Sequence, residues 1–185
     1  MDRPGDPAGM EADASSCPGC GVVLPISDWP VDGRANASPA CWQIRTKVLA
    51  HELEHLPELG RFHQLSVDAY AAQHAGDRVP PIATAFALIG LHLTLDEGWT
   101  GTAVRAAHQH LAQRFHEWLA FLPPSDPASL TIASVAASQT PREHAERVQA
   151  WARSVWEAWA ADHGRVRAWA EDALPAEIRG RLRLV

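Results

Sequence analysis

Apolar positions along this chain recur mostly three and four residues apart, the period of helices, and rarely alternate as strands do. Cys41, Ile44, Val48 and Glu52 share one helical sector. Ser38 as N-cap, Pro39 at the first helical position and Pro57 as a stop bound that first helix. Residues 61–76 predict a second: at 100° per residue, His63, Val67, Tyr70 and His74 fall within roughly 60° of one another, and Gly76 stands where a glycine closes a helix. Residues 81–97 are apolar nearly all round, as expected of a helix buried at the centre of a bundle. A fourth helix is expected from a cap at Thr100 or Thr102 to Leu122, carrying His108, His110 and His116 on different faces of a partly exposed helix. The Pro-rich stretch 123–127 reads as a rigid connector and 130–135 as a helical turn. Thr140-Pro141-Arg142-Glu143 is a capping box. The helix it opens carries Val148, Trp151, Val155 and Trp159 as a stripe, with Gly164 expected to close it. A short helix over 165–174 and a break at Pro175 complete an all-α reading: a single-domain helical bundle of about five main helices with an N-terminal zinc-knuckle loop, over residues 17–185.

Composition narrows the partners. Residues 1–16 are acidic and rich in Pro and Gly, which predicts a disordered tail and not a signal peptide, since the basic start and apolar run are missing. The longest apolar run, 82–95, contains His92 and is too short to span a bilayer. With 16 Lys and Arg against 22 Asp and Glu the formal charge is −6, which argues against general binding to a phosphate backbone. The cluster Arg179, Arg181 and Arg183 reads as a solvated terminal helix. No nucleic acid and no membrane are therefore expected as partners, and the expected compartment is the cytoplasm. Eight tryptophans predict large buried rings with their indole N–H groups bonded.

The most specific chemistry is Cys17-Pro-Gly-Cys20-Gly21, a turn that converges two thiolates on one ion, as in a zinc knuckle. A thioredoxin-like redox pair would open a helix instead, whereas VVLPISDWP reads here as a Pro-broken loop. The remaining ligands must come from elsewhere. Cys41 points inward one turn into its helix, either as a ligand or as a small buried hydrophobe. His63 and His74 lie about 16 Å apart along the helix axis, so one ion cannot take both. His74 is the expected ligand, because antiparallel pairing of the first two helices sets it beside Cys41 and because helix-terminal carbonyls favour a cation. The same pairing leaves His63 near His55. Zinc held by Cys17, Cys20, Cys41 and His74 would be closed and structural. An alternative is a metal-dependent enzyme acting on a small-molecule ligand, with His63 or His74 on the ion, Asp68 orienting an imidazole or acting as base, and Tyr70 and Gln73 facing substrate. Asp68 lies off the His63/His74 stripe, against that reading. Four protein ligands select the first reading and three plus water the second. The third, a zincin-like metallopeptidase, rests on His51-Glu52-Leu53-Glu54-His55, a literal H-E-x-x-H. Pro57 follows too closely, and His63 is out of step with the extended form of the motif.

Taken together and in order, CPGCG, SPACW, HQLSVDAYAAQHAG, LTIASV and WARSVWEAWAADH resemble an uncharacterised family of small bacterial proteins classed only as a domain of unknown function. The resemblance spans nearly all of residues 17–170. By position it implies roles for Cys17, Cys20, Cys41, Trp42, His63, Asp68, Tyr70, Gln73, His74, Trp151, Trp156 and Trp159, and it implies no activity. The chain departs from the family pattern at Asp32 and Arg34, where an H-x-Y is usual, and at Ala87, near a position often occupied by histidine. If either histidine is a family ligand, the site here is incomplete or completed differently.

Overall fold

A computed structural model of the protein describes residues 13–33, 35–114 and 117–184. Three helix starts are written in side chains that bond forward to orphan N–H groups; in one, Thr100 Oγ1 accepts the Ala103 N–H at 3.2 Å, and the other two add a proline. Ser38 Oγ accepts the Cys41 N–H at 3.3 Å and opens α1, Pro39–Glu54. Thr140 Oγ1 accepts the Glu143 N–H at 3.1 Å and opens α6, Pro141–Ala158. In both, proline occupies the first turn, where a missing N–H has no consequence. Between them run α2, Leu56–Gln73, α3, Pro81–Leu95, α4, Gly101–Arg114, and the short α5, Ile132–Ala136. After α6 come a 3₁₀ turn, Ala160–Asp162, then α7, His163–Ala173, and α8, Ala176–Leu182. The all-α expectation holds. Among the described residues the sheet is one hairpin, β1 Ala14–Ser16 paired antiparallel with β2 Val23–Pro25.

Five boundaries differ from the sequence reading, four of them for a local reason and the fifth where α4, expected to reach Leu122, ends at Arg114. Pro57 does not end α1; it sits in the first turn of α2, which starts five residues earlier than expected, at Leu56. Gly76 does not close α2, since His74 is the C-cap and Gly76 lacks a left-handed φ. Its missing side chain instead makes room for Asn36, whose Nδ2 donates to the Ala75 carbonyl at 2.8 Å. Gly164 lies inside α7, and α6 ends at Ala158 with Trp159 as its C-cap; beyond it His163 Nε2 donates to the Trp156 carbonyl at 2.8 Å while its ring stacks on the indole. Ala14–Ser16 and Val23–Pro25, expected as tail and loop, pair because the Cys17–Cys20 turn folds the chain back on itself. Residues 1–12, Arg34 and His116 lie outside the described residues, and α4 ends at Arg114.

The helix on which the others converge is α2. It packs against α1, α3, α4 and α6, while α3 packs against α2, α4, α6 and α7. The apolar α3 is buried as expected, yet the axis of the bundle is the more polar of the two. Burying polar groups is tolerated only when they are bonded, and α2 meets that condition through its neighbours. Gln73 Nε2 donates to the Leu130 carbonyl at 2.7 Å, and Gln73 Oε1 accepts the Trp151 indole N–H at 2.9 Å, which joins α2 to α6 and to the segment leading into α5. Trp156 donates to Asp96 and Trp99 to Glu97, so these indole N–H groups are bonded as the composition suggested.

Asp68 is the exception. Its Oδ1 accepts Gln64 Nε2 at 3.0 Å, but Oδ2 is buried with no hydrogen-bond partner and presses on Gly90 of α3. A Cβ at position 90 would collide with this carboxyl. Gly90→Ala is expected to destabilise the fold by about 3 kcal/mol, read from urea unfolding, because two packed helices must separate to admit one methyl group. An unchanged midpoint would show that α2 and α3 can part at no cost. Burial pushes the Asp68 carboxyl well above the usual range, against the opposing effect of the Gln64 bond. A group whose folded pKa exceeds its unfolded value keeps its proton longer when folded, so stability drops as pH rises from about 4 toward the folded value. The difference in unfolding free energy between wild type and Asp68→Asn should therefore move in favour of the variant as pH rises from 4 to 8. A difference that stays flat would mean Asp68 ionises normally in the fold.

Candidate metal centre

The Cys17–Cys20 turn is closed by two backbone bonds of 2.9 Å, Cys17 N–H to the Val22 carbonyl and Gly21 N–H to the Cys17 carbonyl. Gly21 adopts φ +73°, a left-handed conformation that glycine reaches without strain. Gly19 fills a different requirement: a Cβ there would meet the Asn36 carbonyl and the His74 ring, so the turn can lie flat on the end of α2 only as glycine. The start of α1 delivers Cys41, and its N-cap backbone reaches back, with Ser38 N–H 3.4 Å from Cys17 Sγ.

His74 ends α2 as its C-cap. Its Nδ1 donates to the Tyr70 carbonyl at 2.9 Å, which fixes the tautomer and turns Nε2 toward the thiols. Nε2 is 3.5 Å from Cys17 Sγ and 3.3 Å from Cys41 Sγ, and Cys20 Sγ is 3.8 Å from Cys41 Sγ. All four ligand atoms lie within 4.8 Å of one another, on side chains that are all buried. A tetrahedral zinc with Zn–S of about 2.3 Å and Zn–N of about 2.0–2.1 Å implies S···S edges near about 3.8 Å and S···N edges near about 3.5 Å. The donor set and its spacing fit that ion. The Cys20 and Cys41 sulfurs are too far apart for a disulfide, and all three cysteines are free.

The surroundings favour negative sulfur next to a cation. Tyr70 stacks on His74 with centroids 3.8 Å apart, and its hydroxyl lies 3.6 Å from Cys41 Sγ as donor. Burial, reinforced by the charge of Cys41, holds the Tyr70 phenol well above its ordinary pKa, so it stays a donor. Of the three thiols Cys17 ionises first, stabilised by hydrogen bonds from Cys20 and then Cys41. Its thiolate pushes Cys20 up to about 11 and Cys41 higher still. Three thiolates can therefore coexist here only with a positive ion among them.

The other candidate residues go elsewhere. His63 lies midway along α2, where its Nδ1 meets Oε2 of Glu52, in the last turn of α1, at 3.0 Å. Asp68 faces Gly90 and lines no cavity with the cluster, and Gln73 spends both ends of its amide on Trp151 and Leu130. Tyr70 and His74 do line a cavity of about 270 Å³ together with Asp32, Trp42, Arg45 and Val79. Ala87 is buried within α3, and the histidine that joins the three cysteines is His74.

Glu52 overturns the peptidase geometry. It is fully buried, and its carboxylate takes His63, Ser66 Oγ at 2.5 Å and His144 Nε2 at 3.0 Å, while His51 and His55 face outward. A general base must stand beside the ion-bound water; this one is turned into the bundle and fully bonded. The knot of Glu52, His63, Ser66 and His144 was missed in the sequence, although an acid on the inward sector of α1 signals that a partner must exist.

No curated protein and no solved structure matches the chain. The model of a family of unknown function, DUF5946, matches residues 15–160, from β1 through α6, and so takes in all four clustered side chains. The protein belongs to the DUF5946 family.

Proposed function

We propose that the protein is a zinc-binding helical domain in which Cys17, Cys20, Cys41 and His74 hold one structural ion. The observation that carries this reading is the buried group of three sulfurs and one imidazole nitrogen at tetrahedral spacing. When bound, zinc would supply the positive charge that lets three thiolates share one small volume. The chain's own residues do the rest: the Cys17–Cys20 turn presents two sulfurs, the first turn of α1 a third, and the Tyr70 carbonyl orients His74. Four protein ligands leave no position for water, which favours a structural over a catalytic ion. Its role is to pin the hairpin to the start of α1 and the end of α2. Thiolates of this kind persist in a reducing compartment such as the cytoplasm. Among the described residues no helix is long and apolar enough to cross a membrane. The cavity beside Tyr70 is the place for a small-molecule ligand.

Metal analysis of protein purified without chelator tests the reading. About one equivalent of zinc is expected, and cobalt exchanged into the site should show intense thiolate-to-metal charge-transfer absorption. Metal-free protein that takes up no zinc on addition would end it.

A further inference from the structure

The last residues of α1 present two faces with different chemistry. Glu52 turns inward to His63, Ser66 and His144. His51, Glu54 and His55, at i, i+3 and i+4, share the outward face, and one ligand atom of each lies within 4.8 Å of the others. His51 and Glu54 are exposed and His55 half-buried, with the two imidazole centroids 4.2 Å apart and the rings tilted by 46°.

His55 is built like His74. Each is the C-cap of its helix, and each has its Nδ1 2.9 Å from the carbonyl four residues back, His51 for His55 and Tyr70 for His74. In both, the backbone holds one ring nitrogen as donor and leaves Nε2 free to accept, the arrangement that orients a metal-bound imidazole. The carbonyls of a helix's last turn also favour a cation. His74 turns its Nε2 to three thiols; His55 turns its own to a half-open surface shared with an imidazole and a carboxylate.

That surface borders a cavity of about 420 Å³ between α1, α5 and the start of α6, lined by His51, His55, Lys47, Gln139 and His144 among others. His144 is held by Glu52 through Nε2. Its ring centroid is 5.6 Å from that of His51.

We propose that His51, Glu54 and His55 form a second, open site for a divalent transition-metal ion at the mouth of this cavity. Two imidazoles and one carboxylate suit zinc, nickel or copper and leave at least one coordination position for water or an anionic ligand. The site is not the zincin arrangement, because its acid is Glu54 and not the buried Glu52. It stands apart from the cysteine cluster, which lies at the opposite end of α1.

Nickel(II) titrated calorimetrically into protein that already carries its first equivalent of zinc tests the proposal. One further equivalent is expected to bind, and cobalt(II) in its place should give visible d–d absorption without a thiolate charge-transfer band. His51→Gln and His55→Gln should each weaken this binding at least tenfold and Glu54→Gln several-fold, with the zinc content and thermal melt of each variant unchanged. His110→Gln, on α4, should bind as wild type does. Absence of saturable uptake beyond the first equivalent overturns the proposal, as does uptake undiminished in the His51→Gln/His55→Gln double variant. The same titration of Cys17→Ser protein reads the second site alone, so failure of the cysteine centre and failure of this one are separable.

Discussion

Cys20→Ser protein is expected to lose its zinc and to melt well below wild type, with the loss concentrated in the N-terminal hairpin. Free zinc a thousandfold above its dissociation constant stabilises a fold by about 4 kcal/mol, which for a domain of this size corresponds to roughly 8–16 °C in Tm. The cost has a specific location. Among the described residues the hairpin is two three-residue strands whose apolar side chains are largely exposed, as Val23 is, so it has little core of its own. Beyond Val22 and Leu24, which pack partly buried against the core, what binds it to the bundle is the contact of Cys17 and Cys20 with Cys41 and His74. The helices below the site keep their own packing, with Trp151, Leu88 and Leu91 all fully buried. Hydrogen exchange should therefore show lost protection over residues 14–25 while α3 and α6 remain protected. Chelator added to wild type should reproduce both effects. Equal metal content and an equal melt in the variant would mean that the four side chains cluster for packing alone.

Glu52→Ala is expected to be the most destabilising single change away from the metal centre. The carboxylate, on α1, is the common partner of groups on two other helices: Ser66 and His63 on α2, and His144 on α6. Removing it leaves two imidazoles and a hydroxyl facing a void where water has little access, and each orphaned polar group costs about 1–3 kcal/mol. A total of roughly 3–5 kcal/mol is expected from urea unfolding, with zinc content unchanged. Glu52→Gln keeps the shape and one acceptor oxygen, so it should lose less, about 1–2 kcal/mol. This pair of variants also tests the H-E-x-x-H reading. Chelator-sensitive cleavage of an unstructured protein, lost in Glu52→Gln, would require Glu52 to face the ion after all.

The sequence by itself determined what depends on residues within a turn of one another. Ser38-Pro39 and Thr140-Pro141 start α1 and α6 because a side-chain oxygen needs only the N–H three residues on. The Cys17–Cys20 turn is closed by bonds spanning four and five residues, and the stripe from Val148 to Trp159 follows from helical period alone. His74 could be singled out because antiparallel neighbours bring one end of α2, and not the other, beside Cys41. Tertiary structure decided the rest. Glu52 meets His144 across 92 residues and Gln73 meets Trp151 across 78, and no local spacing encodes which buried acid or amide finds which partner. The ends of α2 and α6 went the same way: Asn36 occupies the space at Gly76, and His163 folds back on Trp156, so contacts between segments overrode what Gly76 and Gly164 suggested by position. Burial is the physical reason. A polar group removed from water must be satisfied by whatever the packed fold brings within about 3 Å, and that neighbour is chosen by the three-dimensional arrangement of helices, not by distance along the chain.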